Sequence, residues 1–130
     1  MPGNVDPIYG KVYKNPRVSL ATGYTTYDGT NASLLFTADA TNGSKLMRLI
    51  VQPKGTNVAS LLRIYKASGS TNFALIREFA LAATTASNTS AAFPIEIPFV
   101  LGLEASAQIY VHLTVTVAGG YDIMAEAMDY

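Results

Sequence analysis

The chain has no cysteine and no tryptophan, and it has one histidine among its 130 residues. Without cysteine there is no disulfide framework, no thiol nucleophile and no thiolate metal ligand. His112 is the one side chain that titrates near neutrality without help from its surroundings. These shortages remove much of the chemistry that enzymes use, so we expect a protein that is not an enzyme and holds no metal or other cofactor.

The few reactive groups form no convincing catalytic pattern. A Ser-His-Asp arrangement could be drawn through His112 with Asp28 or Asp122, but no serine lies in a nucleophile elbow. Glycoside hydrolysis needs two carboxylates across a cleft, and the sequence singles out no pair. Residues 39–43 carry oxygen ligands on a turn but lack the distal glutamate of a calcium loop. We expect His112 at the surface or in an interface. A small hydrolase that depends on His112 is kept as a further functional hypothesis.

Charge is also scarce, and its distribution is uneven. Only 14% of the residues are charged, and the formal net charge is zero. A neutral chain has no positive field for nucleic acid or an anionic membrane, so we expect neither partner. Residues 1–77 hold all nine basic residues and three acids, a balance of +6, whereas residues 78–130 hold six acids and no base. The two halves either neutralise each other within one chain or meet between subunits and steer docking.

Long apolar runs are missing as well. None is long enough to cross a bilayer. The first residues carry neither the basic region nor the apolar region of a signal peptide, so we do not expect one there.

What the chain has in abundance is alternation of apolar and polar residues. Ile109, Val111, Leu113, Val115 and Val117 share one parity, with His112 on the opposite one. A period of two predicts half-buried strands with one face on a core. The predicted strands, about eight in number, are residues 17–21, 33–37, 45–52, 58–66, 73–81, 93–101, 108–117 and 121–128.

The connecting segments refine this prediction. Gly119-Gly120 predicts a tight hairpin between the last two strands. The polar residues 82–92 predict a crossing between sheets or an exposed tip. Pro94 and Pro98 predict that strand 93–101 borders a sheet edge. The fold class that follows is all-β, an antiparallel β-sandwich of jelly-roll type.

The N-terminal residues differ from the rest of the chain. Pro2 and Pro7, with Gly3 and Gly10, disfavour a regular strand. We therefore predict an extended N-terminal arm over residues 1–15 and a β-sandwich domain over residues 16–130. Tyrosine combines a large contact area with a polar tip and is enriched in protein interfaces. The predicted interface residues are Tyr9, Lys11, Tyr13, Lys14, Tyr24 and Tyr27.

Three hairpin and turn motifs lie within residues 36–130. They are Gly55-Thr56-Asn57-Val58-Ala59 leading to Leu62-Arg63-Ile64-Tyr65, Ile76-Arg77-Glu78 followed by Ala82-Ala83-Thr84, and Val115-Thr116-Val117-Ala118-Gly119-Gly120-Tyr121. With these motifs the chain resembles short structural proteins of tailed bacteriophages. The arm lies outside the resemblance, so its role stays open.

The resemblance implies a jelly-roll module on the virion, such as a capsid decoration (cement) protein or a small tail or fibre component. It brings no catalytic residues. We expect a homo-oligomer that is made in the host cytoplasm and binds the capsid surface, with the major capsid protein or other virion proteins as partners. The alternative is a carbohydrate-binding β-sandwich, in a tail fibre or a lectin, that stacks sugars on Tyr24 or Tyr27.

Overall fold

The computed structural model describes residues 12–68 and 71–130, which form nine strands and no helix. The strands are β1 Val12–Lys14, β2 Arg17–Leu20, β3 Ser33–Thr37, β4 Ser44–Pro53, β5 Ser60–Ser68, β6 Thr71–Leu81, β7 Ile95–Leu103, β8 Ala107–Leu113 and β9 Tyr121–Asp129. All eight predicted strands are present as β2 to β9, with shifted ends. Over the same residues, nothing helical is long and apolar enough to span a membrane.

Strand pairing follows a nested pattern. β2 pairs with β9, β3 with β8, β4 with β7 and β5 with β6, all antiparallel. The chain is thus one long hairpin with its tip between β5 and β6. This hairpin is wrapped so that β4 also pairs with β9, and β5 with β8. The result is the strand order of a jelly roll, so the predicted fold class is confirmed.

The wrapped hairpin forms two sheets. Sheet A has the order β2-β9-β4-β7, with β1 also paired to β9, and sheet B has the order β3-β8-β5-β6. Between them lies the core, which includes Leu46, Leu49, Ile64, Ile97 and Ile123, all without exposed surface. Burial between two sheets explains the alternation, and a register shift between Leu46 and Arg48 brings both Leu46 and Leu49 of β4 to the core face.

Two details of the predicted β8–β9 region are wrong. Strand β8 ends at Leu113, and Val115 is exposed in the following loop. No β8–β9 hairpin exists, because β8 belongs to sheet B and β9 to sheet A. The two glycines serve close packing: a Cβ on Gly119 would lie 1.9 Å from the Lys54 carbonyl oxygen, and Gly120 has φ +82°.

Other connections agree with the sequence. Residues 82–94 lead from β6 in sheet B to β7 in sheet A, so the predicted crossing is confirmed. β7 is an edge strand, as Pro94 and Pro98 indicated. Phe93 precedes β7 and is exposed, so it does not belong to the buried face of that strand.

The predicted arm is described only from residue 12 onward. Val12–Lys14 pairs with β9, with Val12 opposite Asp129, so regular pairing begins before residue 16. The first eleven residues lie outside the described ranges. The division into an arm and a domain stays a prediction.

Candidate functional site

Residues 22–32, here called the strap, connect β2 to β3 and lie across the outer face of sheet B. The strap is anchored where Gly23 bridges to Leu113 and the Tyr24 amide donates to the Leu113 carbonyl at 2.8 Å. A Cβ on Gly23 would lie 2.4 Å from the Thr116 backbone nitrogen, so only glycine permits this approach.

Beneath the strap lies a polar cluster formed by Arg63 and Tyr65 of β5 and His112 of β8. All three are buried, although their strands direct them away from the core. The Tyr65 hydroxyl donates to the Thr26 carbonyl at 3.3 Å and lies 3.1 Å from Nε2 of His112. Arg63 Nη1 donates to the same Thr26 carbonyl at 3.2 Å. The strap backbone therefore supplies the acceptor that this polar face requires.

Two predicted interface residues, Tyr24 and Tyr27, belong to the strap and pack on this cluster. The Tyr24 ring stacks on His112 with centroids 6.1 Å apart. The Tyr27 ring lies 3.7 Å from the Arg63 guanidinium carbon, a cation–π contact. Both rings hold the strap, and Tyr27 also keeps much of its surface exposed.

The cluster favours the neutral form of His112. Burial lowers the pKa of His112, Arg63 lowers it further, and Asp28 opposes both effects. Because Tyr65 donates to Thr26, its oxygen accepts from a protonated Nε2 of neutral His112. Nδ1 is then left buried, with no hydrogen-bond partner among the described residues.

The expected surface position of His112 is therefore wrong, because the strap covers the polar face of β8. The arrangement with Asp122 is not assembled, since Asp122 lies in β9 of the other sheet. In the described ranges no group of three acidic or histidine side chains is placed to hold a metal.

Tyr13 and Lys14 lie on β1, at the edge of sheet A. Tyr13 is opposite Met128 and is largely exposed. The Lys14 ammonium lies 3.4 Å from the Asp129 carboxylate. The other two predicted interface residues, Tyr9 and Lys11, fall outside the described residues.

Apolar side chains are exposed at both edges of sheet A. Val12 and Tyr13 at one edge are 52% and 76% exposed, Val100 of β7 at the other edge is 70% exposed, and Phe93, two residues before β7, is 84% exposed. Phe93 and Val100 were missed from the sequence. Val100 carried a signal, because it is an apolar residue on the polar parity of a strand already assigned to an edge by its prolines.

Ion pairs join the basic and acidic parts of the chain. Each of the six acids in residues 78–130 lies within 3.6 Å of a base from residues 12–68. The pairs are Lys14–Asp129, Arg48–Glu96, Arg48–Glu126, Lys54–Asp122, Arg63–Glu78 and Lys66–Glu104. The charges of the two parts therefore meet within one chain, as one of the two alternatives predicted. A contact between subunits stays a prediction.

Comparison with known proteins adds little to this description. No protein-family model matches the sequence. The search of curated proteins finds no match. Among solved structures, the chain is similar to a chain in the structure of the infectious bursal disease virus Gx strain, with a TM-score of 0.35 and 14% identity. The similarity covers 99% of this chain and 36% of the viral chain, so this protein spans about a third of the length of the viral chain. A TM-score this low does not show a shared function.

Proposed function

We propose that this protein is a structural component of a tailed-bacteriophage particle that binds the assembled capsid as a decoration protein and stabilises it. The observation that carries the proposal is the pair of apolar edges of sheet A. Because the two edges lie on opposite sides of one sheet, a single molecule can contact two neighbours at once. The jelly-roll topology supports the same role, since it is used in viral capsid domains, although a fold does not determine a function.

Stabilisation follows from burial. A molecule that contacts two capsid subunits adds apolar area that must be re-exposed before they separate, at about 25 cal/mol per Å². A contact of about 1,600 Å² is typical of specific complexes, and association costs consume much of its gross free energy. Repetition of the contact over a lattice adds avidity.

A matched pair of valine substitutions tests this proposal. We expect Val100→Ser to reduce the amount of protein retained on purified particles, because it removes exposed apolar surface from the β7 edge. Val58→Ser removes the same groups from another exposed valine, in the loop between β4 and β5, and should leave retention unchanged.

Retention is measured by sedimenting particles with added protein and quantifying the bound fraction. Melting temperatures of both variants verify that each is folded. If Val100→Ser and Val58→Ser bind as wild type does, the β7 edge does not contact the particle.

A groove on sheet A favours the second candidate, carbohydrate binding. It has a volume of about 550 Å³ and lies over Ile50 and Met124, with Arg17, Gln52 and Asp122 as polar groups along its wall. Apolar floors with a few placed polar groups suit small ligands. Glycan-array binding that is lost in Gln52→Ala and kept in the β7-edge variant Val100→Ser would favour this function over decoration.

A further inference from the structure

A cleft opens between the two sheets on the side of the molecule formed by β2 and β3. It has a volume of about 440 Å³, with Lys14, Asn15 and Pro16 on one wall and the last four residues of β3 on the other. Both walls are sheet edges, because β3 ends sheet B and the β1–β2 stretch ends sheet A. Leu34 stands at the mouth of the cleft and is 46% exposed.

Free edges of this kind are suited to an extended segment. Within the described part of the chain no strand pairs with the outer side of either edge, so an added strand can satisfy backbone N–H and C=O groups there. Leu34 on β3 offers an exposed apolar contact to such a strand, whereas Phe36 on the same strand is buried in the core.

The residues that precede β1 have the composition and length for such a strand. Residues 1–11 include Val5, Ile8 and Tyr9, and Pro7 suits an edge position because it has no N–H to leave unpaired. Fully extended, eleven residues reach about 36 Å, enough to cross a neighbouring domain of this size.

The direction of β1 indicates which cleft this segment can enter. β1 runs antiparallel to β9, with Val12 opposite Asp129 near the end of the chain. The cleft lies beside Asn15 and Pro16, beyond the other end of β1. A strand that continued β1 backwards from Val12 would therefore extend away from the cleft of its own chain and towards a neighbouring copy.

We propose that residues 1–11 of one molecule occupy the cleft between β1–β2 and β3 of a second copy. Exchange of this segment in both directions gives a two-fold dimer in which each copy supplies the same two surfaces. The inference deepens the proposed function by naming a second copy as a partner, and it assigns the arm to self-assembly.

Cysteine cross-linking tests the inference cleanly because the chain has no cysteine of its own. Ile8→Cys protein is mixed with Leu34→Cys protein that carries a C-terminal size tag, under a mild oxidant. We expect a disulfide-linked dimer of one tagged and one untagged chain, several-fold above that formed by Ile8→Cys with tagged Val100→Cys, which is exposed at the far edge of sheet A.

Two further measurements make each outcome decisive. Thr37 is exposed on the same strand as Leu34. The cross-linking experiment is repeated with tagged Thr37→Cys in place of tagged Leu34→Cys, so that a folding defect in one variant does not determine the result. Deletion of residues 1–11 should convert a dimer to a monomer in sedimentation equilibrium while the melting transition persists. A mixed dimer no more abundant than the Val100→Cys control, or an internal disulfide in monomeric Ile8→Cys/Leu34→Cys protein, would overturn the inference.

The assay uses purified protein without particles. Failure of cross-linking therefore concerns the arm, whereas failure of the Val100→Ser test concerns attachment to the capsid.

Discussion

His112 lies in an environment that resists protonation. It is 1% exposed, it faces the hydroxyl of Tyr65 and the ring of Tyr24, and the Arg63 cation lies in the same cluster, with Asp28 the nearby acid. A proton added to Nδ1 would find no acceptor among the described residues and would place a second positive charge beside Arg63.

Because folding lowers the pKa of His112, acid should destabilise the protein before its carboxylates titrate. The unfolded chain, with an imidazole pKa of about 6.5, takes up the proton first, so stability is complete above that pH and declines as the pH falls below it. We expect the free energy of unfolding to fall from pH 7 to pH 5.5 in urea titrations.

His112→Gln provides the control, since the chain has no other histidine. This variant is expected to be less stable at pH 7 but to show little change of stability across the same interval. An equal slope in the variant and the wild type would contradict this account of His112.

Asn57 is a buried residue that sequence analysis passed over as part of a turn. Its side-chain oxygen accepts from the amides of Gly119 and Gly120 at 2.8 and 2.9 Å, and its Nδ2 donates to the Gly120 carbonyl at 3.1 Å. Backbone bonds in both directions tie Asn57 to Thr84. Asn57 thus joins three loops at one end of the sandwich, one through its side chain and one through its backbone.

We expect Asn57→Ala to cost about 2–3 kcal/mol of unfolding free energy, because it leaves buried backbone amides without an acceptor. Urea unfolding with an unchanged m-value measures this loss. Asn88→Ala, in an exposed turn, is the matched control and should change stability by less than about 0.5 kcal/mol. Equal effects of the two substitutions would show that Asn57 does not organise the loops.

Among the structural elements, sequence analysis did not find the strap or the short strand β1. Period-two alternation identifies which face of β5 or β8 meets the core, so strand positions and the apolar parity could be predicted. It does not show whether another segment covers the polar face, and Arg63 and His112 have the pattern of solvent-facing residues. A β8 of ten residues was predicted for the same reason, since alternation continues past Leu113 into a loop.

A tight glycine contact tests the packing of the strap. Gly29 has φ +74°, and a Cβ there would lie 2.7–2.9 Å from the Phe73 side chain. We expect Gly29→Ala to destabilise the protein by more than about 1 kcal/mol and to increase proteolytic cleavage within residues 22–32.

Gly102→Ala is the matched control for that substitution. Gly102 has no positive φ, and nothing lies within 4 Å of its added Cβ, so its stability should stay near that of wild type. If Gly29→Ala were as stable and as protease-resistant as Gly102→Ala, the strap would not be held against Phe73.

For the whole molecule, nested pairing explains where the charges meet. The first strands pair with the last ones, so the basic N-terminal part of the chain lies beside the acidic C-terminal part. Intrachain neutralisation could be predicted from that topology. The partner of each charged side chain could not, because it depends on the register of the strands. Arg48, for example, is opposite Glu126 on β9 and also reaches Glu96 on β7. Exposed pairs of this kind contribute about 0–1 kcal/mol each.

Exposed apolar edges are the feature that burial within one chain leaves unexplained. Val12, Tyr13, Phe93 and Val100 cover no part of the core, and they lie where neighbouring subunits could reach them. β7, which carries Val100, was predicted from the sequence, whereas β1, which carries Val12 and Tyr13, was not. The position of these residues on opposite edges of one sheet could not be predicted, because that depends on the wrapped topology.

The most direct test of the proposed function is the copy number of this protein on intact particles. Particles of the phage that we propose as its source are purified through two density gradients, and this chain and the major capsid protein are quantified by mass spectrometry against labelled standards. We predict a fixed small-integer ratio between the two that persists through the second gradient. Particles that lack the protein, or a ratio that falls with each gradient, would contradict the proposal.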